Sequence, residues 1–309
     1  MRRRVWRAIA VAALLFVYAS FLAGPFLAEI SLHPPRRLVD RAAQQTAHHT
    51  AQAYSATLSE VTLRAKDGVL LRAWFFRPDK PNGNSVLLLH GVADSRAGML
   101  AYARLFLRKG YSVLAPDARA HGDSDGDIAT YGLREAGDIQ QWATSLVETE
   151  PTNCVYALAE SMGAGQLLQS LAAEPRFCAV VAESPFATFR EVAYDRVGRP
   201  FGAGPWLGRT LLRIPIESAL LYARLRYGID LTRANPTEAI RNTRMPILLI
   251  HGKDDSNIPP RHSERLHASN PSATSLWLVT GAQHTGALGT APAEFEQRVT
   301  AWFAKYNTR

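Results

Sequence analysis

The chain has 309 residues, enough to bury the core of one large α/β domain, and its two cysteines exclude a miniprotein built on disulfides. The net charge of +8 is concentrated in two segments, because residues 1–50 and residues 187–245 each carry +5. This distribution lacks the broad basic face of a nucleic-acid-binding protein, so we expect no nucleic-acid partner. The sequence has neither a nucleotide-binding glycine loop nor a zinc-type Cys/His spacing, and we therefore expect no cofactor and no metal.

The N-terminus predicts a membrane segment. Four arginines precede a run of 21 uncharged residues from Ala8 to Ala28. As a helix rising ~1.5 Å per residue, this run would extend roughly 30 Å, the thickness of the hydrocarbon core of a bilayer. Because basic residues stay in the cytoplasm, the rest of the chain is expected on the far side of the membrane. A cleaved signal peptide and a cytosolic amphipathic helix are the alternatives.

Residues 31–55 contain Pro34-Pro35 and a stretch rich in Gln, Ala and His. We interpret them as a tether between a membrane segment at residues 1–30 and a folded domain at residues 56–309. Arginine outnumbers lysine 30 to 5, which favours a bacterium with a GC-rich genome. The expected location is the inner membrane, with a single span and an extracytoplasmic domain, or the periplasm if the segment is cleaved.

Strands and helices alternate along the rest of the chain. Residues Ser59–Arg64 and Val69–Phe76 predict a hairpin that turns at Lys66-Asp67-Gly68. Six β-prone runs follow, separated by helical patterns, and a terminal helix is predicted near Phe295–Tyr306. The runs are Ser85–His90, Tyr111–Ala115, Cys154–Ala159, Cys178–Glu183, Ile247–His251 and Ala273–Val279. Such alternation predicts a mostly parallel, doubly wound sheet with right-handed crossovers.

Residues 187–245 interrupt this alternation. The interval is too long for one crossover and contains helical patches at Trp206–Ile214 and Ala219–Tyr227. It follows the carboxyl end of a predicted strand, where an open α/β sheet forms its binding crevice. We therefore predict a helical cap inserted over that crevice.

The two cysteines each begin a predicted strand. One helix separates Cys154 from Cys178, so their strands are expected to be parallel neighbours. This arrangement is compatible with a disulfide outside the cytoplasm, and two buried free thiols are the alternative.

Residues Ala159–Gly163 (AESMG) place a serine between a strand and a helix, with small residues around it. This stretch resembles the nucleophile elbow, Gly-x-Ser-x-Gly, of the α/β-hydrolase fold superfamily, with alanine in place of the first glycine. A serine on so sharp a turn presents its Oγ above the sheet, and the crowded backbone requires small neighbours. The resemblance covers about residues 56–306 and implies the α/β-hydrolase fold with Ser161 as nucleophile.

Residues Ile250–Pro259 (IHGKDDSNIP) resemble the acid loop of the superfamily, HGxxDxxxP. Asp255 stands where the superfamily has its acid, at the end of a predicted buried strand. Asp254 is the neighbouring alternative, and Glu183 is a second one, since variants of the fold carry an acid after the strand that follows the nucleophile. The resemblance implies that Asp255 orients a catalytic histidine.

Residues Gly281–His284 (GAQH) follow the last predicted strand and resemble the histidine loop of the superfamily. A serine hydroxyl is a poor nucleophile at neutral pH and needs a base to take its proton. The resemblance implies that His284 is this base and then the acid that protonates the leaving group. Asp255 would fix the tautomer of His284 and stabilise the imidazolium.

Residues His90–Val92 (HGV) resemble the HGx turn that follows the third strand of the superfamily. The resemblance implies an oxyanion hole formed by the backbone N–H groups of Val92 and Met162. The histidine of this turn is interpreted as a residue that ties down a loop, like His251. Residues Asp117–Gly126 (DARAHGDSDG) resemble the DxRxxGxS loop, a structural signature of the superfamily.

A serine at the elbow distinguishes this chain from the dehalogenases and epoxide hydrolases of the fold, which carry aspartate there. The resemblance therefore implies a serine hydrolase of the serine-aminopeptidase-like or membrane-anchored esterase branch. Its expected partners are the membrane and a small-molecule or lipid-like acyl substrate. We expect it to cleave an ester bond, and a thioester or amide bond is the second choice. An acyltransferase or peptidase with the same triad is one alternative, and a scaffold that binds a lipid or a partner with little turnover is another. Neither the acyl group nor the oligomeric state follows from the sequence.

Overall fold

The fold is built on one central sheet of eight strands. In this computed structural model, which describes residues 2–171, 176–199, 202 and 204–307, the strands have the following bounds. They are β1 Ala56–Arg64, β2 Leu70–Pro78, β3 Asn84–Leu89, β4 Ser112–Pro116, β5 Cys154–Glu160, β6 Ala179–Glu183, β7 Ile247–Gly252 and β8 Thr274–Val279. The strand order is β1-β2-β4-β3-β5-β6-β7-β8. The β1–β2 and β2–β4 pairs are antiparallel and the other neighbours are parallel, so the predicted fold class is confirmed.

Helices cover both faces of this sheet. In the described part of the chain they are α1 Arg2–Leu32, α2 Arg41–Ala53, α3 Leu100–Leu107, α4 Glu135–Thr149, α5 Ser161–Ser170, α6 Phe189–Gly198, α7 Gly204–Arg209, α8 Arg213–Tyr227, α9 Pro236–Ile240, α10 Arg261–Ser269, α11 Ala287–Thr290 and α12 Pro292–Lys305.

The central strands are apolar throughout because both of their faces are covered. All six residues of β3 are buried, and alternate side chains enter opposite cores. Val86 and Leu88 join the core that includes Phe303 of α12, whereas Leu87 and Leu89 join the core under α4 and α5. Because the strands from β3 to β8 pair in parallel, their carboxyl ends share one edge of the sheet.

The segment interpreted as a tether contains helix α2. The Asp40 side chain caps this helix by accepting a hydrogen bond from the Ala43 N–H at 2.7 Å. Ala47 and Ala51, four residues apart, are buried in the core beside β3 and α12. The sequence pattern did not indicate this packing, because the buried face is made of alanines rather than large apolar residues.

The cap lies between β6 and β7 and holds α6 to α9. The Thr188 side chain accepts from the Glu191 N–H at 3.2 Å and begins α6. The predicted patch Trp206–Ile214 is divided between α7 and α8, and residues 200, 201 and 203 lie outside the described residues. Apolar residues of the cap form a third cluster above the carboxyl edge of the sheet, together with Met162 and Leu32.

Helix α1 is long and apolar enough to cross a membrane, and it fits membrane anchoring. It also packs against the domain through a stripe of buried residues, Ser20, Gly24, Ala28 and Leu32, spaced four apart. A Cβ at Gly24 would lie 2.3 Å from Ser218 Oγ, so glycine is needed for α8 to approach this closely. The end of α1 is further held by the Leu32 carbonyl, which accepts from the Ala129 N–H at 2.9 Å.

Candidate active site

Ser161 lies on the sharp turn where β5 ends and α5 begins. Its φ is 52°, in the left-handed region that residues with a Cβ rarely adopt. Gly163 is required two residues later, because a Cβ there would lie 2.5 Å from the His90 carbonyl oxygen and 2.8 Å from that of Leu89. The backbone strain at Ser161 is the feature expected of a nucleophile elbow.

The structure brings the three predicted triad residues into direct contact. His284 Nε2 lies 2.8 Å from Ser161 Oγ, and His284 Nδ1 lies 2.7 Å from Asp255 Oδ2. The other carboxylate oxygen of Asp255 accepts hydrogen bonds from the backbone N–H groups of Asn257 and Ile258, both at 2.9 Å. A serine, a base and a carboxylate are therefore aligned in the order that nucleophilic catalysis requires.

The two alternative acids have other surroundings. Asp254 is exposed to solvent, whereas Asp255 is buried against His284. Glu183 is buried, but its Oε1 accepts from the Ala287 N–H at 2.9 Å. Among the three candidates, Asp255 is the acid in contact with His284.

Asp255 is held as an anion by its hydrogen bonds. Burial by itself raises the pKa of the Asp255 carboxyl, but hydrogen bonds from His251 and His284 and from the Ile258 N–H hold that pKa well below its usual range. A buried anion facing Nδ1 favours the tautomer in which Nε2 is free to accept the proton of Ser161 Oγ. The same charge stabilises the imidazolium once His284 is protonated.

His251 has a larger part in the site than the sequence indicated. Its Nε2 lies 2.8 Å from the Ile258 carbonyl oxygen and 3.2 Å from Asp255 Oδ2, and Ser263 Oγ lies 2.6 Å from its Nδ1. His251 therefore ties down the acid loop, as expected, and also contacts the acid directly. The feature of the sequence that could have indicated this contact is the position of His251, four residues before Asp255.

The turn at His90–Val92 passes beside the serine. A Cβ at Gly91 would lie 3.4 Å from Ser161 Cβ, and Val92 lines the same cavity as Ser161 and Met162. Met162 is the second residue of α5, and the first N–H groups of a helix have no partner within it. His90 fixes this turn, because its Nδ1 lies 2.7 Å from the Gly91 carbonyl oxygen and its Nε2 accepts from the Ala118 N–H at 3.0 Å.

The buried Glu183 and the half-buried Glu160 share one tyrosine hydroxyl behind Ser161. Tyr102 Oη lies 3.2 Å from Glu160 Oε2 and 2.9 Å from Glu183 Oε2. The hydroxyl carries one proton, so both contacts are hydrogen bonds only when one carboxyl is protonated. Burial raises the pKa of Glu160 to about 8, with a further contribution from the charge of Glu183, and burial raises the pKa of Glu183 as well. Sequence reasoning did not find this cluster.

A cavity of about 340 Å³ opens above Ser161. This volume lies within the range of small-molecule sites, roughly 300–1,000 Å³. Its walls are mostly apolar and come from α1, α6 and α8, including Leu27, Val192, Ile216 and Leu220. Among the residues that the structure describes, no group of three His, Cys, Asp or Glu side chains is arranged to hold a metal ion.

Cys154 and Cys178 form a disulfide, so the alternative of two free thiols is not what the structure has. Cys154 begins β5 and Cys178 directly precedes β6, and these strands pair in parallel. The bridge therefore closes the amino edge of the sheet, at the other end of β5 from Ser161.

Comparison with known proteins identifies the family. The sequence model of the alpha/beta hydrolase family matches residues 86–298. The chain therefore belongs to the alpha/beta hydrolase family, as the motifs around Ser161, Asp255 and His284 implied. Esterases and peptidases are among the proteins of similar structure.

Two solved structures illustrate the shared fold. The Pyrococcus furiosus esterase Pf2001 has a TM-score of 0.69 and 22% identity, over 89% of this chain and 100% of that one. A puromycin-hydrolyzing peptidase of Mycobacterium tuberculosis has a TM-score of 0.65 and 16% identity, over 83% of this chain and 40% of that one. At these identities the likeness establishes the fold alone.

Two relatives are similar in sequence. The uncharacterized protein YqkD of Bacillus subtilis is 31% identical over 204 residues, which are 65% of this chain and 65% of YqkD. The chain thus spans just under two thirds of the length of that relative. The lysophosphatidylserine lipase ABHD12 of Danio rerio is 24% identical over 217 residues, 66% of this chain and 51% of the lipase.

Proposed function

We propose that the protein is a membrane-anchored serine hydrolase that cleaves carboxylic esters through an acyl-enzyme on Ser161. The observation that carries this proposal is the unbroken series of contacts from Ser161 through His284 to the buried Asp255. The apolar cavity above Ser161 supports a substrate with an apolar acyl group.

The reaction proceeds in two halves. As Ser161 Oγ attacks the carbonyl carbon of the ester, His284 Nε2 takes the hydroxyl proton, and the N–H groups of Val92 and Met162 stabilise the oxyanion. Collapse breaks the bond to the leaving alkoxide, which receives the proton from His284 and departs as an alcohol. Water then attacks the acyl-enzyme while His284 takes its proton, and release of the carboxylic acid returns that proton to Ser161.

A lipid-like acyl substrate has support from two observations. Leu27, Val192 and Leu220 make the cavity wall apolar, and the relative from Danio rerio is named a lysophosphatidylserine lipase. An acyltransferase would use the same acyl-enzyme with an alcohol in place of water, and the peptidase among the similar structures keeps amide bonds as a second candidate. Added alcohol that diverts the product from acid to ester would identify the acyltransferase.

The N-terminal charges support a proposed location. Arg2, Arg3, Arg4 and Arg7 precede the apolar run, and the excess of basic residues orients such a helix with its N-terminus in the cytoplasm. The proposed protein is therefore a single-pass protein of the bacterial inner membrane with its hydrolase domain outside the cytoplasm.

A fluorescent fluorophosphonate tests the proposal, because such probes react with an activated serine and with little else. We expect labelling of the full-length wild type and loss of labelling in Ser161→Ala. Ser145→Ala, on helix α4 away from the cavity, is the matched control and should label like the wild type. A folded wild type that takes up no probe would refute the serine hydrolase and favour a binding scaffold.

A further inference from the structure

The helix that fits membrane anchoring also forms part of the active-site cavity. Leu27, Ser31 and Pro34, from the end of α1 and the residues after it, line the same cavity as Ser161. The end of α1 is fixed there, because Tyr131 Oη donates to the Ser31 carbonyl oxygen at 2.7 Å. The membrane segment and the reacting serine thus share one cavity and are not separated by a linker.

Contacts between α1 and α8 hold the cap at the membrane. Ser218 Oγ donates to the Phe21 carbonyl oxygen at 3.3 Å, and Gly24 allows the two helices to approach closely at this level. Phe21 lies inside the apolar run, which ends at Ala28, about 10 Å further along the helix at ~1.5 Å per residue. Ser218, in the second turn of helix α8, therefore lies beside the last part of the apolar run.

Aromatic residues of α8 mark the level at which the apolar run ends. The hydroxyls of Tyr222 and Tyr227 both donate to Glu29 Oε1, at 3.0 and 2.6 Å. Tyrosine is enriched at the boundary between hydrocarbon and water, where its ring is apolar and its hydroxyl is hydrated. Glu217, nearer the start of α8, is paired with Arg190 and Tyr194. Its negative charge therefore repels an anionic lipid surface only weakly.

The cap also exposes large apolar side chains next to α1. Four residues of α7, α8 and the turn between them, which we call the cap's apolar face, are 48% to 76% exposed. They are Trp206, Leu211, Leu221 and Leu225. Leu221 and Leu225 are four residues apart and lie on one side of α8. The exposed Arg224 is next to Leu225 on α8, and arginine at such a boundary favours anionic head groups.

The rim of the cavity continues onto the lipid-facing side of α1. Leu27 and Ile30 both line the cavity, and their spacing of three places them on one side of the helix. Ile30 is 54% exposed, so this side of the rim is open to the surroundings of the helix. Leu27 and Ile30 therefore give the rim of the cavity an apolar side that faces away from the domain.

We infer that the cap's apolar face lies in the head-group and acyl boundary of the outer leaflet, and that Ser161 takes an acyl ester from the bilayer past Leu27 and Ile30. The occupant of the apolar face is thus the lipid bilayer. The substrate class rests on the proposed function of Ser161. The position of the cap does not, so the two can fail separately.

The first experiment locates the apolar face in vesicles of phosphatidylcholine and phosphatidylglycerol. Both native cysteines are in the disulfide, so Leu225→Cys supplies one thiol for a nitroxide label, and Val147→Cys on α4 is the control. Val147 is also an exposed apolar residue, 45% accessible. We expect the label at position 225 to collide more with oxygen than with a soluble nickel chelate, and the label at position 147 to do the reverse. The same profile at both positions would overturn the inference.

The second experiment measures whether a reagent reaches Ser161 from the bilayer or from water, with two fluorophosphonates that differ in the attached chain. A hexadecyl fluorophosphonate dissolved in the vesicles reports entry from the bilayer, and a short glycol-linked fluorophosphonate reports entry from water. In Leu221→Glu/Leu225→Glu, the ratio of bilayer to soluble labelling rates should fall about tenfold or more, since each buried leucine is worth more than a factor of ten. Val147→Glu should keep the wild-type ratio.

The outcomes separate the two claims. A wild type that reacts with neither probe would refute the proposed function of Ser161. A wild type that reacts with both, together with an unchanged ratio in Leu221→Glu/Leu225→Glu, would leave the hydrolase standing and overturn delivery from the bilayer.

Discussion

Replacing Glu160 with glutamine tests the pair of acids behind the nucleophile. Glutamine has the shape of the protonated glutamate, and its oxygen can still accept the hydrogen bond that Gly91 donates to this side chain. Burial, with a contribution from Glu183, raises the pKa of Glu160 from its ordinary value of 4.5 to about 8. Near pH 6 the wild-type side chain is therefore protonated in the folded protein and ionised in the unfolded chain.

The sign of the effect follows from proton linkage. The folded protein binds a proton at Glu160 that the unfolded chain releases, so the free energy of unfolding falls as the pH rises from 4.5 to about 8. At about 1.4 kcal/mol per pKa unit, this fall is on the order of 5 kcal/mol. In Glu160→Gln it is absent, while the fall that the raised pKa of Glu183 causes remains.

The assay is urea unfolding of the full-length protein in mild detergent at pH 5, 7 and 9, followed by tryptophan fluorescence. The variant should be close to the wild type at pH 5 and more stable than it at pH 9. Glu148→Gln, an exposed glutamate of α4, is the matched control and should follow the wild type at each pH. Parallel curves for Glu160→Gln and wild type across this range would refute the assignment of a raised pKa to Glu160.

Two further predictions concern the disulfide and the acid of the triad. Cys154→Ala/Cys178→Ala should lower the free energy of unfolding by about 3.5 kcal/mol, since the bridge closes a loop with a sequence separation of 24 residues. Equal urea midpoints for this variant and the oxidised wild type would contradict that value. Asp255→Asn should lower the kcat for p-nitrophenyl butyrate by about 10⁴-fold, because the amide no longer favours the tautomer of His284 that accepts the proton. A loss of less than tenfold would mean that another group orients the histidine.

Much of the fold could be predicted because its signals are local in the chain. The apolar run of β3 indicates burial on both faces, and the elbow at Ser161 needs small residues within two positions of the serine. The motifs around Asp255 and His284 are equally short. Contacts between neighbours in the sequence are enough to specify such elements, since they depend on backbone geometry and on the spacing of apolar residues.

The tertiary structure decided what depends on residues far apart in the chain. Asp254 and Asp255 are chemically identical neighbours, and burial against His284 distinguishes them. Tyr102 lies 58 and 81 residues from Glu160 and Glu183, so no local pattern could indicate that the three share a proton. The packing of the alanine face of α2 could not be predicted either, because the core that it contacts exists only once the sheet is formed.

Helix α1 shows the same division between local and long-range information. Its length and hydropathy follow from the sequence alone, because they depend only on consecutive residues. Its packing on α8 and its place in the wall of the Ser161 cavity depend on contacts such as that of Phe21 with Ser218, 197 residues apart. The sequence thus determined that the chain has an apolar N-terminal helix and a serine between a strand and a helix, and folding decided that the two meet at one cavity.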